Sequence, residues 1–155
     1  MRPRSNFTVK LARWHEWLVY LGVALLFVTG IGWLLLDRYG KVTGEFGQEP
    51  SHFLPWLLLA HGTAAYFCAI VVAMLLPVHV RLGWNSGRNK KSGLTLILVS
   101  LFLTLSGLGL YYSTSEQLRK TTSLTHWVVG MAFPLALIMH LIRRAPSRSL
   151  KIKGR

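Results

Sequence analysis

The sequence predicts an all-α integral membrane protein, a four-helix up-down bundle with both termini cytoplasmic. Three observations predict it. The composition is apolar: of 155 residues, 52% are hydrophobic and 15% charged, with a mean hydropathy of +0.40, whereas an ordinary soluble domain is about 25% charged. The apolar residues gather into four stretches, roughly 14–36, 53–78, 94–112 and 123–142, each near or above the ~20 residues that cross the hydrocarbon of a bilayer. The basic residues, finally, fall almost entirely on one side of the membrane that these stretches define.

Each element follows from its own residues. The first stretch comes after a basic leader, but it is too long for a signal-peptide core and lacks a small-residue cleavage site, so it reads as a retained span. The second follows His52 and ends near Pro77, and the fourth contains Pro134; both prolines are places for a kink. Trp14, Trp17, Trp33, Trp56, Trp84 and Trp127 lie near span ends, as an interfacial aromatic belt requires. The connections are short, so the chain reads as one domain over 1–155, with its chemistry in or at the membrane.

The net charge of +13 invites a nucleic-acid reading, and its distribution argues against one. Arg2, Arg4, Lys10 and Arg13 precede the first span. Arg81, Arg88, Lys90 and Lys91 fill the loop between the second and third, and Arg143, Arg144, Arg148, Lys151, Lys153 and Arg155 follow the fourth. That is 14 of 18 basic residues on one face. The positive-inside rule puts this face in the cytoplasm, and anionic lipid headgroups are its natural partner.

Histidines carry the chemical signal. His61 lies in the second stretch and His79, 18 positions on, at its close, and His126 and His140 lie 14 apart in the fourth. These intervals are five turns and just under four, so each pair shares a face, separated by about 27 and 21 Å at about 1.5 Å per residue. With alternating directions, His61 and His126 fall near the outer face and His79 and His140 near the inner one. The second and fourth helices are diagonal neighbours in such a bundle. An imidazole left unpaired in lipid costs several kcal/mol, which makes intramembrane histidines functional candidates. Imidazoles paired across a helical bundle are ligands suited to haem iron. His15, at the start of the first span, also lies at the inner level and competes with His79 for the place opposite His140. Helical phase favours His79.

Other chemistries fit less well. Zinc takes three or four close ligands, usually with cysteine. The single cysteine, Cys68, excludes an intramolecular disulfide, and no C-x-x-C-H run exists to attach haem covalently. No nucleophile–histidine–acid set, phosphate loop or carboxylate pair can be assembled. Small residues in the spans (Gly22, Gly30 and Gly32 in the first, Gly62 beside His61, Gly107 and Gly109 in the third, Gly130 one turn after His126) allow a flat ring or a helix to approach the backbone. Arg13, Arg81 and Arg143 stand where they could neutralise propionates.

The run Arg13-Trp14-His15-Glu16-Trp17, followed by Val28-Thr29-Gly30, resembles the opening of bacterial cytochrome b561-type proteins. It is similar too to the haem b membrane subunits of formate dehydrogenase and nickel–iron hydrogenase. The resemblance implies a four- or five-helix bundle with two b haems. It assigns the outer haem to His61 and His126 and the inner one to His15 and His140. The 14-residue spacing in the fourth helix is its most specific element. The segment from Pro77 to Trp84 around His79 departs from that pattern. With the stretch from Arg88 to Gly93 and with Leu110-Tyr111-Tyr112, it is similar to small relatives within the same superfamily.

The expected function is therefore that of a two-haem cytochrome b of the bacterial inner membrane. It would pass electrons between a quinone pool and a partner redox protein, either a periplasmic cytochrome or a membrane-anchored oxidoreductase. Two alternatives stand beside it. One is a quinone-linked oxidoreductase acting on a small oxidant such as superoxide, steered to the outer face by Lys41, Arg119 and Lys120. The other is a non-redox structural subunit whose histidines only link helices.

Overall fold

The computed structural model describes residues 13–45, 47–81 and 90–142, with the backbone alone at Val78 and His79. The basic leader before Arg13, the loop from Leu82 to Asn89 and the basic tail from Arg143 lie outside the described residues. The described chain has four long helices: α1 Arg13–Tyr39, α2 Leu54–Leu75, α3 Lys90–Tyr112 and α4 Glu116–Ile142. All four are long and apolar enough to cross a membrane, so the chain is a multi-pass, all-helical membrane protein. A two-stranded antiparallel hairpin, β1 Val42–Gly44 and β2 Gly47–Glu49, joins α1 to α2. Its Gly47 has φ of 121°, a backbone conformation that favours glycine over residues with a Cβ.

α1, α3 and α4 run past the apolar stretches that predict them. α4 starts at Glu116, seven residues before the apolar stretch. Ser115 begins it as a cap: the Leu118 N–H donates to Ser115 Oγ at 3.4 Å, and the Arg119 N–H to the Ser115 carbonyl at 2.9 Å. Glu116 in the first turn suits the helix dipole and pairs with Lys120 at 2.7 Å. The start of α2 is fixed similarly by Ser51, whose carbonyl accepts from the Leu54 N–H at 3.0 Å. At the other end, α2 passes into a π-turn over Leu76–Val80. Pro77 has no N–H to continue the α ladder, and widening the turn is one way a helix absorbs that loss. Pro134 lies inside α4 without ending it.

The packing register reads from what each glycine meets. Gly22 of α1 lies against the Cys68 thiol, Gly30 against the His61 ring, and Gly32 against Leu57 at 3.5 Å from a Cβ position. The numbers rise in α1 and fall in α2, so these helices are antiparallel along their contact. Between α3 and α4 the order is the same: Gly93 meets His140, Leu103 meets Gly130, and Gly107 meets His126. α1 also packs on α4. Few side chains are buried within the chain, and large apolar ones such as Val28, Leu35, Ile70 and Leu135 point outward. An apolar exterior of this extent is matched to lipid rather than water.

Candidate functional site

Two helices that do not adjoin in sequence bring one histidine each to a common point. The rings of His61 in α2 and His126 in α4 have centroids 6.3 Å apart, with planes at 72°. Both rings are half-buried. Metal–imidazole bonds are about 2.0–2.1 Å, and an imidazole nitrogen lies about 1.1 Å from its ring centre, so two imidazoles on opposite sides of one metal place their centres about 6.3 Å apart. The observed centroid spacing is of that size.

Neighbouring helices grip both rings in the same way. Thr29 Oγ1 in α1 lies 2.9 Å from His61 Nδ1, and Ser106 Oγ in α3 lies 2.8 Å from His126 Nδ1. The residue after each hydroxyl is a glycine on which the ring rests. A Cβ at Gly30 would stand 3.2 Å from His61 Cε1, and one at Gly107 would stand 3.5 Å from His126 Cε1. With each Nδ1 engaged, Nε2 is the nitrogen left to ligate a metal.

The grip is repeated once, fourteen residues along α4. Ser92 Oγ lies 2.9 Å from His140 Nδ1, and a Cβ on Gly93 would stand 3.8 Å from His140 Cε1. His15 is half-buried, its ring stacked on Trp14 with centroids 3.5 Å apart. The backbone of His79 lies in the π-turn, and its side chain lies outside the described residues. The five-turn count from His61 to His79 assumes an unbroken α-helix, and the π-turn does not keep that phase.

Other residues singled out in the sequence are more dispersed. Gly22, Gly32 and Gly130 admit side chains from neighbouring helices, Gly62 meets the Tyr111 hydroxyl, and nothing lies within 4 Å of a Cβ at Gly109. His52 is exposed and lines a cavity of about 620 Å³ with Trp33, Asp37, Glu49 and Leu58. Neither His61 nor His126 lines it; Leu58 stands one turn before His61 in α2, and Trp33 three residues after Gly30 in α1.

The donor set narrows the chemistry. Among the described residues, no three His, Cys, Asp or Glu side chains gather as a metal-holding group. A two-ligand site is what the geometry offers, which suits an axially ligated macrocycle better than tetrahedral zinc. The hydroxyl partners of the rings are residues that histidine spacing does not reveal. Their signal lies in α3, where Ser92-Gly93 and Ser106-Gly107 repeat at the same 14-residue interval as His140 and His126. The chain matches no family model, no curated protein and no solved structure.

Proposed function

We propose that the chain is a two-haem b-type cytochrome of the bacterial inner membrane, passing electrons between a quinone pool and a partner redox protein. The observation that carries this reading is the facing pair of His61 and His126 at 6.3 Å. These two would hold the outer haem, and His140 with His15 or His79 the inner one. Haem iron with two imidazole ligands supplies a one-electron couple with no open coordination position, which suits transfer rather than oxygen chemistry. The protein's part is to hold the rings at fixed spacing and to separate two levels by about 21 Å, the rise over the 14 residues from His126 to His140. The bundle in this reading is up-down with both termini cytoplasmic, as the positive-inside rule requires.

This reading places quinol exchange at the open pocket lined by His52, at the hairpin end of α1 and α2. Oxidation of a quinol releases protons with its electrons, and Asp37, Glu49 and His52 in the wall are groups able to take them up. Trp33 and Leu58 give the apolar wall that a lipid-borne ring needs.

The test is optical. Protein made in a haem-sufficient host should show a b-type reduced-minus-oxidised spectrum and about two haems per chain by pyridine haemochrome. A colourless protein from that host would refute the reading. Glycine substitutions give a graded check. Gly30→Ala places a methyl 3.2 Å from the His61 ring, so the ring must move and outer-haem occupancy should fall. Gly93→Ala leaves 3.8 Å to His140 and should keep the full complement.

A further inference from the structure

We propose that Thr29 and Ser106 are positioning residues that hold His61 and His126 in the Nδ1–H tautomer. A hydroxyl has one proton to give. Thr29 Oγ1 donates it to the Leu25 carbonyl at 2.6 Å, and Ser106 Oγ donates to the Leu103 carbonyl at 3.2 Å. Towards the imidazole each oxygen can then only accept, so each Nδ1 carries the proton and each Nε2 keeps its lone pair. The following glycine, Gly30 or Gly107, lets the ring lie close enough for that bond.

α3 has no histidine of its own, yet it serves both levels. Its hydroxyl–glycine pairs at 92–93 and 106–107 match the two α4 histidines in antiparallel register. The proposed tautomer rests on the carbonyl taking each hydroxyl proton; its redox consequence rests on the haem reading. A histidine donating through Nδ1 is a more basic ligand, and it stabilises the more positive iron. Loss of the acceptor should raise the potential of that haem and weaken its binding by about 10–100-fold.

The full-length protein in lipid nanodiscs, haem-free and haem-loaded, tests both halves. With ¹⁵N-labelled histidine, the haem-free wild type should show Nδ1–H at His61 and His126. Thr29→Val should mix the tautomers at His61 and Ser106→Ala at His126, while Thr29→Ser restores the wild-type spectrum. In loaded protein each of the two disruptive variants should raise the midpoint potential of the outer haem and leave the inner one in place. Tautomers, haem affinity and potential all unchanged in Thr29→Val and Ser106→Ala would overturn the proposal. If the wild type binds no haem, the cytochrome reading falls, and the ¹⁵N spectra still decide the tautomer.

Discussion

Replacing either His61 or His126 with alanine is expected to lower bound haem from about two per chain to about one, with the inner haem's spectrum unchanged. The expectation follows from the geometry of the pair. In the two-haem reading each ring would supply one nitrogen to a site that the other half-completes, and the described residues bring no third His, Cys, Asp or Glu to join a metal-holding group there. Collapse of the bundle would be a weak explanation for the loss. Removing His61 deletes one interhelical hydrogen bond, to Thr29, and such bonds in membrane proteins average only about 0.6 kcal/mol. Helix content by circular dichroism should therefore match the wild type. The same measurement separates a cytochrome from a structural subunit. If the histidines only tie α2 to α1 and α4 to α3, either alanine variant leaves any bound haem as it was.

Much of this architecture was legible in the sequence, because membrane helices declare themselves through sustained apolar runs. The limits lie where polar residues extend a helix beyond the hydrocarbon. The stretch 116–122 of α4 is polar in almost every position, and its helix depends on the Ser115 cap and the Glu116–Lys120 pair. The hairpin at 42–49 is too short to give a periodicity signal. At the site, spacing identified the histidines but not what holds them. A serine or threonine before a glycine is common in membrane helices, so Thr29, Ser92 and Ser106 gain meaning only when their hydroxyls are found within 2.9 Å of a ring nitrogen. The phase between His61 and His79 was lost for a different reason. Pro77 announces a disturbance, but sequence alone does not say whether a helix answers it by kinking or by widening its turn.

That π-turn bears on the second large effect, the identity of the ligand that the two-haem reading places opposite His140. His15→Ala is expected to remove the same haem that His140→Ala removes, and His79→Ala to leave two. His15 precedes Gly22 by seven residues and Thr29 by fourteen, intervals that return to within about 40° of one helix face. Gly22 and Thr29 both face α2, at Cys68 and His61. His15 therefore belongs to the stripe of α1 that reaches the outer site, one interval further in. The same interval separates His126 from His140 in α4 and Ser92 from Ser106 in α3. α1 packs on α4 as well as on α2, so the helix that carries His15 adjoins the helix that carries His140. His79 is reached only through the π-turn, where the face set by His61 is no longer maintained. Haem counts on the three single variants decide the matter. Loss of the inner haem in His79→Ala, with His15→Ala unaffected, would reverse the assignment and show that the widened turn brings His79 back to the column of His61.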